Sequence, residues 1–109
     1  MGTKNIKNFL NTLQEFDFDQ LYLIYSGLEQ GLDVKHYANP NFTNLQMKEI
    51  KLGLENKLDV SVYATEEFDN KQMYYIRDGL MQGLDVSHYA KPNLTWQEMK
   101  LELEKISWI

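Results

Sequence analysis

Residues 68–90 read FDNKQMYYIRDGLMQGLDVSHYA, and the same skeleton is written twice before this stretch and begun once more after it. The full copies open at Phe16, Phe42 and Phe68, 26 residues apart, and a partial copy opens at Leu94. Gly27, Gly53 and Gly79 correspond, each followed by Leu28, Leu54 or Leu80. Leu32-Asp33-Val34, Leu58-Asp59-Val60 and Leu84-Asp85-Val86 come next, then Tyr37-Ala38, Tyr63-Ala64 and Tyr89-Ala90. A fixed period in this range marks supersecondary units stacked side by side, each unable to bury its apolar face alone. Such arrays present long surfaces to macromolecules more often than they enclose a catalytic pocket.

The second residue of each copy is Asp17, Thr43, Asp69 or Thr95, and three residues later stand Gln20, Gln46, Gln72 and Glu98. This is the capping-box pattern, in which the cap oxygen takes the third helical N–H and the Gln or Glu reaches back. Phe16, Phe42, Phe68 and Leu94 precede the caps, and Leu21, Met47, Met73 and Met99 sit four residues beyond them, as a hydrophobic staple requires. Four helix starts are thereby predicted. Leu21, Ile24 and Leu28, Met47, Ile50 and Leu54, and Met73, Ile76 and Leu80 then fall at helical spacing as core stripes.

Gly31 and Gly83 mark helix ends that need a left-handed residue. Copy two has Lys57 there, so either Asn56 adopts that conformation or the end is strained by about 1 kcal/mol. Asp33, Asp59 and Asp85 are placed to cap a second, short helix. Asn39-Pro40 and Lys91-Pro92 return the chain to the next start, where copy two uses Thr65-Glu66. Gly27, Gly53 and Gly79 lie inside the long helices, where glycine costs about 1 kcal/mol relative to alanine. Two readings are open: a groove for a ligand backbone, or close packing by a helix or by the ring of Tyr37, Tyr63 or Tyr89. Recurrence in every full copy favours packing. Ile6, Phe9, Leu10 and Leu13 form a helical stripe ahead of the first copy, while Glu102 replaces the isoleucine of the full copies. Both features fit ends that cap a stack.

Composition narrows the function classes. The chain has 109 residues, no cysteine, 16 acidic against 11 basic residues and a net charge of −5. Thiolate metal sites and disulfides are excluded. No apolar run approaches the roughly 20 residues of a membrane span, and Met1 to Lys7 leads into polar sequence unlike a signal peptide. A cytoplasmic protein is expected. Arg77 is the single arginine and the lysines are scattered, whereas a phosphate-tracking surface needs clustered cations.

Catalytic patterns are not found. His36 and His88 share one repeat position that Val62 fills in copy two, which suits a packed or half-exposed ring better than a ligand or base. Asp85-Val86-Ser87-His88 has the letters of a triad, but triads are spatial arrangements rather than adjacent residues. No HExxH, phosphate-binding loop, dinucleotide loop or EF-hand appears. No cofactor or metal is expected, and no enzyme.

Binding residues should stand where copies differ. Tyr22, Leu23, Tyr25 and Ser26 correspond to Lys48, Glu49, Lys51 and Leu52 and to Tyr74, Tyr75, Arg77 and Asp78, while Glu29 and Glu55 correspond to Met81. Tyrosine, methionine and arginine are favoured at protein interfaces. Tyr22, Tyr25, Tyr74, Tyr75, Arg77 and Met81 are therefore the candidate partner contacts, with cover for an inner helix or for the N-terminal cap as the competing role of these rings. Trp96 opens the last helix, and Trp108 with Ile109 ends the chain in an apolar tail that either locks onto the body or supports a homodimer.

The run from Gln72-Met73 through Ile76, Gly79-Leu80 and Gly83-Leu84-Asp85-Val86-Ser87 to Tyr89-Ala90 resembles a short tandem repeat of Gram-positive phage, plasmid and conjugative-element proteins. The resemblance covers residues 16–109, and copy two departs from it at Lys57 and in having no proline after Ala64. It implies a mobile-element protein, and small acidic proteins of such elements are often inhibitors of host defence, including anti-CRISPR proteins against Cas9-type nucleases.

The expected architecture is all-α: a short solenoid of about three and a half helix-turn-helix repeats. Residues 1–15 form an N-terminal capping helix, and residues 16–109 the repeat domain, with copies 16–41, 42–67, 68–93 and partial 94–109. The expected function is non-enzymatic binding and occlusion of a protein partner, a Cas9-type nuclease in the sharpest form. The alternatives are a DNA-binding regulator, with Lys48, Lys51, Lys71 and Arg77 converging on one face, and a self-associating architectural module.

Overall fold

The computed structural model of the chain describes residues 10, 11 and 13–108. Among these residues it is all-helical, with no strand. Helix α1 spans Phe18–Glu29, α2 Asn44–Glu55, α3 Asn70–Met81 and α4 Trp96–Ser107. Residues 10, 11, 13 and 14 are also helical. Ile6 and Phe9, on which the expected capping helix rests, lie outside the described residues, as does Ile109. The extensive helix contacts join chain neighbours: α1 with α2, α2 with α3, and α3 with α4.

All four helices begin with the predicted capping box. In α2, the Gln46 amide donates to Thr43 Oγ1 at 3.1 Å, and the Thr43 amide donates to Gln46 Oε1 at 2.8 Å. The three glutamines have a second role that links units. Gln20 Nε2 donates to the Phe42 carbonyl at 2.6 Å, Gln46 Nε2 to that of Phe68 at 2.7 Å, and Gln72 Nε2 to that of Leu94 at 2.6 Å. Gln20 and Gln72 also reach the carbonyls of Pro40 and Pro92. Each helix start therefore holds the entry to the next.

The helix ends close alike. The amides of Leu32, Leu58 and Leu84 donate to the carbonyls of Gly27, Gly53 and Gly79 at 2.9, 3.0 and 3.0 Å. That six-residue closure needs a left-handed residue just before its donor. Gly31, Lys57 and Gly83 supply it with φ of 74°, 60° and 72°. Of the two outcomes open for copy two, the strained one holds: Asn56 has a φ of −98°, because the bond between Leu58 and Gly53 sets the left-handed position at Lys57 whatever the residue. Lys57 bears the strain of about 1 kcal/mol. Beyond each end, Asp33, Asp59 and Asp85 accept from the amides of Lys35, Ser61 and Ser87. The first two cap 3-10 turns at Val34–His36 and Val60–Val62, and in copy three residues 87–89 form a turn.

The mid-helix glycines are packing sites. Tyr37, Tyr63 and Tyr89 are fully buried, and their hydroxyls donate to the carbonyls of Leu23, Glu49 and Tyr75 at 2.6, 2.8 and 2.7 Å. Each carbonyl stands four residues before Gly27, Gly53 or Gly79, so it also serves the glycine amide in the helical ladder. A β-carbon on any of the three would overlap the phenolic oxygen, and would fall 2.8, 2.6 and 2.6 Å from Cγ1 of Val34, Val60 and Val86. The bare backbone is what admits the ring.

Burial pushes the Tyr37 hydroxyl up to about 12 and those of Tyr63 and Tyr89 further up. An unfolded tyrosine titrates near 10, so the unfolded chain releases these protons first and stability falls as pH rises. Urea unfolding should show constant stability from neutral pH to about 10 and a decline above it, as the tyrosines of the unfolded chain ionise while the three buried ones still hold their protons. A stability still level beyond the folded value of about 12 for Tyr37 would contradict the clasp.

Met47, Ile50, Met73, Ile76 and Met99 are fully buried around these rings, with Phe42, Phe68, Val60 and Val86 beside them. The core stripe expected on α1 departs from this pattern. Leu21 and Ile24 are half-buried, and Leu28 keeps 59 % exposure. Their counterparts on α2 and α3 lie under a preceding helix, and the described residues ahead of α1 do not provide that cover.

Candidate protein-binding groove

The variable helix positions do not all share one surface. Tyr74 and Tyr75 meet edge to face, with ring centroids 4.9 Å apart and planes at 82°. Tyr75 in turn stacks on Trp96 of the next helix at 6.0 Å and 8°. Lys71 Nζ lies 5.1 Å from the Trp96 ring centroid, and Arg77 Cζ lies 5.3 Å from that of Tyr74. Both are cation–π contacts. Glu49, Asn70, Lys71, Tyr74, Tyr75 and Trp96 line an open groove of about 240 Å³ across α2, α3 and the start of α4. One repeat earlier, Asp19, Tyr22, Leu23, Asn44, Leu45 and Lys48 line a second groove of about 340 Å³ between α1 and α2. The two are successive steps on one face, since Leu23, Glu49 and Tyr75 share a repeat position, as do Tyr22, Lys48 and Tyr74.

Of the six candidate contacts, Tyr22, Tyr74 and Tyr75 thus line this face. Met81 is exposed two turns beyond Tyr74 on the same stripe of α3. Tyr75 is half-buried and packs on the core, so it forms the floor of the groove. Arg77 is largely enclosed: its Nε donates to Glu49 Oε2 at 2.7 Å, joining α3 to α2. Tyr25 holds the same repeat position as Arg77, but on α1 it looks away from the other helices and is 59 % exposed. Trp96 and Lys71 were not among the expected contacts. They enter because the first turn of one helix borders the middle of its predecessor, a relation legible only by reading two copies together.

Of the four cations that the DNA-binding alternative needs on one face, two are already paired. Lys51 Nζ lies 2.9 Å from Glu55 Oε2, an ion pair that holds the Glu55 carboxyl below its ordinary value, and Arg77 is bound to Glu49. Lys48 and Lys71 have no ion pair among the described residues and are exposed. His36 and His88 are both exposed rather than packed, with His36 Nε2 3.9 Å from Asp33 Oδ2. Ser87 donates through its amide to Asp85 at 3.0 Å, and together with its hydroxyl holds that carboxyl below its ordinary value. Asp85 therefore serves the turn. Among the described residues no three His, Asp or Glu side chains gather as a metal site, and no helix is long and apolar enough to cross a membrane.

Comparison with protein-family models, with curated proteins and with solved structures finds no match to the chain.

Proposed function

We propose that the protein is a non-enzymatic binding module in which a short solenoid of about three and a half helix-turn-helix units presents an aromatic groove to a protein partner. The carrying observation is the Tyr74–Tyr75–Trp96 array, open to solvent and flanked by Lys71 and Arg77. Aromatic side chains held rigid by their neighbours lose little conformational entropy on binding, and they dominate the centres of protein interfaces. Tyr22 and Lys48 extend the groove along one face. Exposed Lys48, Lys71 and Lys100 favour a partner segment rich in acidic residues, although the chain as a whole is acidic.

The sharpest target follows from the resemblance of the repeat to mobile-element proteins: a Cas9-type defence nuclease in the cytoplasm, blocked by occupation of a working surface. Retention of a Cas9–guide complex on the immobilised protein tests the target. The variant carrying Tyr74→Ala and Lys71→Glu tests the groove, with an expected loss of about 100-fold in affinity and an unchanged helical signal. Unchanged affinity in that variant would remove the groove. Failure to retain the nuclease would remove the target and leave the groove to be assayed on other proteins. Tyr75→Ala is a poorer probe, because its ring also covers the core.

A further inference from the structure

Each internal interface uses two sides of a helix. Glu49 of α2 faces the following helix, where it meets Arg77 of α3, and Tyr75 faces Trp96 of α4 in the same way. Leu23, Glu49, Tyr75 and Leu101 are thus the forward-facing residues, and Tyr25, Lys51, Arg77 and Leu103, two places later, face back. Where a neighbour exists both sets are covered: the Lys51 and Arg77 side chains are 12 % and 14 % exposed, and Leu103 is 5 % exposed. At the two ends of the described helices the same positions are open and apolar: Tyr25 on α1 is 59 % exposed and Leu101 on α4 58 % exposed, and Leu28, one turn beyond Tyr25, is also 59 % exposed. The ends are the two halves of one interface.

We propose that copies of this chain associate head to tail, with α4 of one against α1 of the next and Leu101 set against Tyr25 and Leu28. The joint continues the series of interfaces between α1 and α4, and it places apolar groups where the joint between α2 and α3 has an ion pair. It lacks one bond that the internal joints have. Gln20, Gln46 and Gln72 each donate to a carbonyl of the following unit, but their place on α4 belongs to Glu98, which accepts from Thr95 and has no proton to donate. The corresponding carbonyl of the next copy is that of Phe16. The association is accordingly reversible, and, being heterologous, it gives an open series of sizes rather than a closed dimer. It uses the ends of the molecule and stands apart from the groove.

Sedimentation velocity from micromolar to near-millimolar protein reads the association. The wild type should rise steadily in mass, and Tyr25→Glu and Leu101→Glu should each stay monomeric. Mixed together, the two variants should form a one-to-one pair and nothing larger, since each keeps one intact end. Glu98→Gln should tighten the association about tenfold by restoring a donor. Should a glutamate variant lose helicity by circular dichroism, Tyr25→Gln and Leu101→Gln take its place. A wild type monomeric at every concentration would overturn the proposal, as would a dimer indifferent to the two end substitutions. If only a variant lacking residues 1–9 associates, the face of α1 belongs to the N-terminal segment of the chain, and the proposal likewise fails.

Discussion

Gly53→Ala should lower the stability of this domain by about 2–4 kcal/mol, although helix propensity alone predicts a gain of about 1 kcal/mol. The sign is decided by what the new methyl group meets. It would overlap the hydroxyl of Tyr63 and come within 2.6 Å of Val60 Cγ1. Neither group can give way cheaply, since Tyr63 is fully buried and Val60 nearly so. Displacing the ring breaks its 2.8 Å bond to the Glu49 carbonyl and leaves a buried hydroxyl without a partner. Overpacking costs about 1–3 kcal/mol and a stranded donor about 1–3 kcal/mol, which together exceed the propensity gain. The melting temperature should fall by about 10–20 °C for a domain of this size. Adding Tyr63→Phe removes the overlapping oxygen, so the double variant should recover part of the loss. An unchanged or higher melting temperature in Gly53→Ala would sink the clasp as the reason for the recurring glycine.

The isosteric change Gln46→Glu should cost about 2–4 kcal/mol at neutral pH. Gln46 is buried and works in two directions: its Oε1 accepts from Thr43 within the capping box, and its Nε2 donates to the Phe68 carbonyl. A carboxylate keeps the first role and reverses the second, setting one acceptor against another out of reach of water. The new carboxyl is driven to keep its proton, so its folded pKa rises above the unfolded value. Its stabilising donor is present below the unfolded value and lost as pH rises through the folded one. Urea unfolding of the variant should therefore show stability recovering relative to wild type as pH falls through the raised folded value, with recovery complete near the unfolded value of about 4.3. A pH-independent difference would mean that the side chain does not face the Phe68 carbonyl.

Both expectations concern positions whose identity repeats, whereas the groove and the open ends are built where it does not. Lys48, Glu49, Tyr74, Tyr75 and Trp96 fall at three repeat positions whose occupants differ from copy to copy, and only Glu49, through Arg77, and Tyr75, through Trp96, also help to join neighbouring helices. Substitution there should leave the fold in place while altering the surface through which the proposed partner would bind, with Tyr75 as the exception because its ring lies over the core.

The sequence by itself determined the four helix starts, the left-handed ends at Gly31 and Gly83, the aspartates that cap the turns, and the repeated glycine and tyrosine. These depend on hydrogen bonds spanning six residues or fewer, or on a recurring residue pair, so their chemistry is written in the immediate neighbourhood of each residue. The same local bond, from the Leu58 amide to the Gly53 carbonyl, makes Lys57 rather than Asn56 the left-handed residue of copy two. Packing between helices, by contrast, binds Arg77 to Glu49 while Tyr25, in the same repeat position, is open. It also brings Trp96 beside Tyr75 and makes the groove. One cause underlies both. A helix has the same pattern of outward and inward positions wherever it stands, but whether a flank meets water or protein depends on the helix beside it, and among the described residues the flanks of α1 and α4 and the variable face have no such neighbour.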